Sequence, residues 1–185
     1  MVAWTKLAGV GACAMVVGIA GASLGTDDRA HPGEEAPSRA PAQDASRRNH
    51  AVWTVLDALH SSASTANFDR YFAQFAPGAI FLGTDGTERW TVDEFKAYTR
   101  PYFEKGKGWT YVPRDRHIHF AQDGRVCWFD ELLDNEKYGE CRGSGVVVFG
   151  DDGQWRIAQY NLSKTIPNEK MAAVVEAIGA GGAVQ

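Results

Sequence analysis

The sequence predicts an α+β domain in which three N-terminal helices with a short hairpin pack on a curved four-stranded antiparallel meander. Three observations carry this. Apolar residues recur at helical spacing from His50 to about Phe103, strand-like alternation takes over from Trp109, and turn-forming clusters cut that second half into four stretches. Helices that precede a run of strands are expected to cover one face of an antiparallel sheet.

The first element follows Asn49, a candidate cap, and carries Val52, Val55, Leu56, Leu59 and Ala63 on one stripe. Asn67 can cap a second short helix whose Phe68, Tyr71, Phe72 and Phe75 form its apolar face, with Ala76-Pro77-Gly78 ending it. Ala79 to Leu82 and Thr87 to Trp90 flank Asp85-Gly86, a dipeptide suited to the positive φ of a tight hairpin turn. Thr91 and Glu94 make a capping box for a third helix, buried through Phe95, Tyr98, Tyr102 and Phe103 and expected to kink at Pro101. Strands are expected at 109–120, 126–133, 140–149 and 154–163, separated by Asp123-Gly124, by 134–138 and by Asp151-Asp152-Gly153. Asn168 offers a cap for a last short helix through Val174 and Ile178.

The 185 residues suffice for one domain with appendages. Lys6 precedes an apolar run from Leu7 to Ala22, and Ala20-Gly21-Ala22 before Ser23 fits a small-x-small cleavage site. Residues 1–22 are therefore expected to be a signal peptide, and the chain to be secreted or periplasmic. The run is nearly long enough to span a bilayer, so a membrane anchor is the alternative if it is not cleaved. From Thr26 to Asn49 no large apolar residue occurs, so residues 23–49 are expected to be a disordered linker. The domain proper is then 50–178, with 179–185 a flexible tail.

A net charge of −4 and a pI near 5.7 provide no basic footprint for a phosphate backbone, which argues against nucleic acid as a partner. Outside the signal segment only Cys127 and Cys141 remain, too far out of register for a disulfide across their hairpin, so two buried thiols are expected. No phosphate-binding glycine loop, nucleophile elbow or dinucleotide fingerprint occurs, and no cofactor is expected. His117 and His119 share a strand face without a third ligand at a recognisable spacing, so no metal site is expected either.

The order of elements, together with Phe81-Leu-Gly-Thr-Asp-Gly-Thr-Glu-Arg-Trp90, Trp128-Phe-Asp-Glu131, Tyr138-Gly-Glu-Cys-Arg-Gly-Ser-Gly145 and Trp155-Arg-Ile-Ala-Gln-Tyr-Asn-Leu-Ser163 before Ile166-Pro-Asn168, resembles the SnoaL-like branch of the nuclear transport factor two-like superfamily. The resemblance runs from His50 to Ile178. It implies a cone-shaped fold with a pocket between the concave sheet face and the helices, and a homodimer through the sheet. Members of the branch range from cofactor-free isomerases, cyclases and hydrolases to non-catalytic binders, so the resemblance leaves enzyme and binding module both open.

Strand alternation sorts the candidate residues. Ile118 with Phe120, Cys127 with Phe129, and Trp155 with Ile157 read as inward sets, which carries Glu131 and Asn161 into the pocket. Phe129, Ile157, Ile118, Tyr98 and Tyr102 are the expected pocket lining. A buried Glu131 with a raised pKa would serve as general acid or base, with Asn161 orienting an oxygen of an apolar, oxygenated small molecule. Asp130 inherits that role if the parity is reversed. In the competing account Glu131 pairs with Arg142 or Arg116 and only fixes register, and the chain is a ligand-binding or dimeric interaction module at the cell envelope.

Overall fold

The computed structural model describes residues 39–181. The expected signal peptide, most of the expected linker and residues 182–185 lie outside the described residues. No helix among the described residues is long and apolar enough to cross a membrane.

The first helix, α1, is Arg39–Ser64, so residues 39–49 form its opening turns and not linker. That stretch is rich in Ala and Arg, and its one proline, Pro41, falls in the first turn, where no intrahelical N–H is needed. Propensity alone allows helix there even though no apolar face announces it. Val52, Leu56, Leu59 and Ala63 are buried as a stripe, each such burial of a Val or Leu stabilising by roughly 1.5–3 kcal/mol. The short α2, Phe68–Phe72, is capped by Asn67, whose side chain accepts from the Arg70 N–H at 3.1 Å. The chain then enters strand β1, Phe75–Leu82, which contains the Ala76-Pro77-Gly78 segment that the sequence suggested as a helix end.

The 83–88 turn leads to β2, Arg89–Thr91. It is wider than the two-residue turn expected of Asp85-Gly86: the Asp85 carboxylate accepts from the Thr87 N–H at 2.8 Å, and the glycine is not among those with positive φ. Helix α3, Val92–Phe103, begins with both bonds of the Thr91–Glu94 capping box and continues past Pro101. Four strands follow: β3, Val112–Phe120; β4, Val126–Asn135; β5, Gly139–Phe149; and β6, Trp155–Lys164. A single 3₁₀ turn, Asn168–Lys170, precedes α4, Met171–Gly181, and Asn168 makes no cap bond.

The α+β class stands, but the sheet is larger than a four-stranded meander. It has six strands in the order β2-β1-β6-β5-β4-β3, mixed because β1 runs parallel to β6. Alternation within a strand shows which face is apolar and is silent about which neighbour satisfies its edge. Here β1 covers the open edge of β6, and the hairpin becomes part of the sheet. Helices α1 and α3 pack on one face of it, α1 against β3 and β6 and α3 against β1 and β2. An aromatic cluster including Tyr71, Phe72, Phe81, Phe95 and Phe103 fills the space between, with Phe81 and Phe95 stacked at 4.0 Å. Cys127 and Cys141 are buried free thiols opposite Val147 and Leu133, and burial pushes the Cys127 thiol up to about 11.

Candidate functional site

Along β4 the residues Cys127, Phe129, Glu131 and Leu133 alternate into the interior. Glu131 has no exposed surface at all. Two irregularities in the neighbouring strands bring its partners to it. In β3 the register slips between Arg114 and His117, and Asp115 takes the left-handed conformation at φ 48°. This bulge turns Arg116 onto the inner face while Arg114 joins Asp134 and Glu140 outside. In β6 the register slips between the partners of Val146 and Val147, bypassing Ala158, so Tyr160 and not Asn161 continues inward from Ile157.

Three groups converge on the carboxylate. His60 Nε2 lies 2.7 Å from Oε1, the Tyr160 hydroxyl donates to the same oxygen at 3.2 Å, and Arg116 Nε donates to Oε2 at 2.7 Å. Arg116 also reaches Asp57 at 2.8 Å and lies over the Trp53 ring at 4.5 Å. Trp53, Asp57 and His60 recur on one face of α1, three and four residues apart, which is how one helix supplies all three. Space for the cluster comes from Gly143 on β5. A Cβ there would lie 2.3 Å from the Tyr160 hydroxyl and 3.0 Å from Glu131 Oε1, so only glycine lets the two groups meet above that strand.

Burial by itself would push the Glu131 carboxyl up. The bonds and charges of His60 and Arg116 outweigh it and hold the group below the usual carboxylate range. The expected upward shift is thus reversed, and of the two arginines named from sequence Arg116 is the partner. Arg142 lies on β5 opposite Leu132, on the other face. Burial and then the Glu131 charge raise the Tyr160 phenol well above its ordinary value, so it remains a donor. Because the ionised carboxylate only accepts, the network places a proton on His60 Nε2.

His60 and Tyr160 separate Glu131 from an inner cavity of about 20 Å³, room for one water, whose other walls include Tyr71, Phe81 and Trp109. An outer chamber of about 220 Å³ shares Phe81, Trp109, Tyr111 and Leu162 with it and adds Trp90, Tyr98, Tyr138 and Glu88. Of the expected lining, Tyr98 borders the outer chamber. Tyr102 stands outside it on the surface, 5.6 Å from Tyr98. Phe129 and Ile157 are core behind the cavity, and Ile118 packs against that core. Asp130 points to the opposite sheet face, 45% exposed and 3.6 Å from His117. Asn161 shares that outer row, aligned with Ser144 and Asp130, because the β6 bulge inverts its parity. No group of three metal-ligating side chains occurs among the described residues.

Sequence reasoning missed His60 and Tyr160, and it offers Arg116 only as a pairing partner of Glu131. His60 does carry a signal: it stands four residues after Leu56 and eight after Val52, a polar residue on a buried stripe.

The profile of the SnoaL-like domain family matches residues 52–168. Similar solved structures include a Nostoc punctiforme domain of unknown function with a cystatin-like fold, at TM-score 0.59 and 16% identity over 70% of this chain and 85% of that one. A provisionally named scytalone dehydratase from Novosphingobium aromaticivorans aligns at TM-score 0.55 and 13% identity, covering 68% and 89%. A provisionally named ketosteroid isomerase from Shewanella frigidimarina aligns at 0.51 and 17%, covering 61% and 94%. At such identities these likenesses speak for the fold alone. No curated protein matches the chain. The profile match spans most of the domain, and with the six-stranded sheet closed over an inner cavity it makes this chain a member of the SnoaL-like domain family.

Proposed function

We propose that the outer chamber binds a small, mostly apolar, oxygenated molecule whose oxygenated end enters the inner cavity, and that His60 acts on it there as a cofactor-free general base and acid. The observation that carries this reading is the bond from His60 Nε2 to a fully buried, ionised Glu131 in a histidine that walls the inner cavity; in the neutral imidazole that bond leaves Nδ1 as the proton acceptor. Nδ1 takes a proton from carbon next to a carbonyl, and the resulting imidazolium is stabilised by Glu131 and returns the proton to another atom of the same molecule. Glu131 is then a positioning residue that touches no substrate. Arg116 keeps it ionised, and Asp57 balances the second positive charge that His60 acquires. Proton transfer of this kind is common to isomerases and dehydratases, the activities in the names of two similar structures.

The experiment follows exchange of α-hydrogens of apolar cyclic ketones in D2O. The protein is expected to accelerate exchange and His60→Asn to lose at least about 100-fold of the acceleration. Exchange that is equal with and without protein, or unaffected by His60→Asn, overturns the acid–base reading in favour of a non-catalytic binding module. One observation favours that second reading: Glu131, the carboxylate expected to be poised for proton transfer, is held ionised and set back from the cavity.

The appendages and the outer face complete the proposal. Export with cleavage near Ser23 is supported by Lys6, the apolar run and Ala20-Gly21-Ala22, and N-terminal sequencing of the mature protein tests it. A homodimer through the outer sheet face is supported by Trp128, 51% exposed there with His119 stacked on it. Sedimentation of Trp128→Glu as monomer, against a dimeric parent, is the expected outcome.

A further inference from the structure

The outer chamber has an unusual balance of groups. Of the eleven residues that line it seven are aromatic, and the one charged group is the carboxylate of Glu88. Glu88 is half-buried and makes no ion pair among the described residues. Its Oε2 accepts from the Asp85 N–H at 3.2 Å, and a Cβ on Gly83 would stand 2.1 Å from the same oxygen, so the glycine lets the carboxylate fold back over the turn. Across from it the rings are already ordered: Trp90 stacks on Tyr98 at 4.9 Å and on Phe95 at 5.4 Å. Burial keeps the Tyr98 and Tyr111 phenols protonated, Tyr111 pushed up to about 12. The chamber therefore holds one carboxylate, walled by two indoles, three phenols and two phenyl rings.

An anionic guest, or a neutral end that brings no donor, would take water from Glu88 and offer nothing in return. A bare metal ion would find a single carboxylate among rings. An ammonium clothed in alkyl groups meets both demands, since its charge is attracted to the carboxylate and ring faces while its methyl groups fill apolar space. We propose that the outer chamber is a binding site for an organic cation, an alkylated ammonium group, held against Trp90 and the Tyr98, Tyr111 and Tyr138 side chains with Glu88 as its counter-ion. This narrows the ligand class of the cavity described above and rests on the reading of that cavity as a ligand site. The cationic head occupies the outer chamber, and the oxygenated end reaches towards His60.

Titration of the full domain with choline and with its uncharged carbon isostere, in which a tert-butyl group replaces trimethylammonium, tests this through tryptophan fluorescence. Choline is expected to bind at least roughly five-fold more tightly than the isostere. Glu88→Gln should bring the two within about two-fold, and Tyr138→Leu, at a half-exposed position, should weaken choline at least about three-fold. Equal or tighter binding of the isostere, no binding of either, or a preference for charge that Glu88→Gln leaves undiminished overturns the proposal. The two proposals fail separately. Loss of charge preference overturns this one whatever the exchange assay shows, and absence of His60-dependent exchange overturns the acid–base reading while choline preference persists.

Discussion

Glu131 and Asp130 are neighbours on β4, each is a carboxylate, and each faces a histidine, yet they belong to different worlds. Glu131 is sealed in the interior with His60 at 2.7 Å and Arg116 at 2.7 Å, whereas Asp130 is 45% exposed with His117 at 3.6 Å. The same contrast separates the arginines on either side of the Asp115 bulge: Arg116 is buried on two carboxylates, and Arg114 is solvated among three. Charge complementarity is comparable on both faces. What differs is the removal of water, which makes an inner bond costly to break and an outer one nearly indifferent.

The largest test of that contrast is Glu131→Gln, which leaves Arg116 buried beside an uncharged amide. Urea unfolding at neutral pH should show a loss of about 3–5 kcal/mol, and a loss below about 1 kcal/mol would place the two rows on an equal footing. The same pair governs acid lability. A carboxyl held below its ordinary value of 4.5 contributes stability that is fully present above that value and lost as pH falls through the folded-state value. Stability should therefore drop on acidification below about pH 4.5. Glu131→Gln should flatten that limb, and Asp130→Asn should leave it in place.

Gly143→Ala and Ser144→Ala probe adjacent positions of β5 that face opposite ways. The inner methyl would press on the Tyr160 hydroxyl and on Glu131, for a loss of about 1–3 kcal/mol, while the outer change should stay within about 0.5 kcal/mol. Removal of residues 1–48 deletes the first turns of α1 and the Arg48 guanidinium, which lies 5.7 Å from the Phe120 ring. The expected loss is about 0.5–1 kcal/mol, read from the thermal midpoint. The smallest effect belongs to Asp130→Asn, within about 0.5 kcal/mol in urea; a loss near that of Glu131→Gln would remove the distinction between the faces.

Local chemistry made much of the molecule legible before any coordinates. The Asn67 cap, the Thr91–Glu94 box, the helical stripe of α1, the four long strands and the interior position of Glu131 all follow from periods and side-chain bonds spanning a few residues, whereas the expected stripe of α3 holds only at Phe95 and Phe103, with Tyr98 and Tyr102 exposed. Tertiary pairing decided the rest. Nothing in the 75–82 stretch announces that β1 will run parallel to β6, because an edge is satisfied by whichever strand arrives. Alternation carries Asn161 inward from Ile157 but fails at the next residue, Ala158, since a bulge adds a residue to one strand only and is visible only against its partner. His60 and Arg116 are 71 and 15 residues from Glu131 in sequence, and their meeting depends on how α1 lies across the sheet and on the slip at Asp115. Burial then set the sign of the carboxylate's shift through the partners it enclosed, a balance between desolvation and pairing that no stretch of sequence contains.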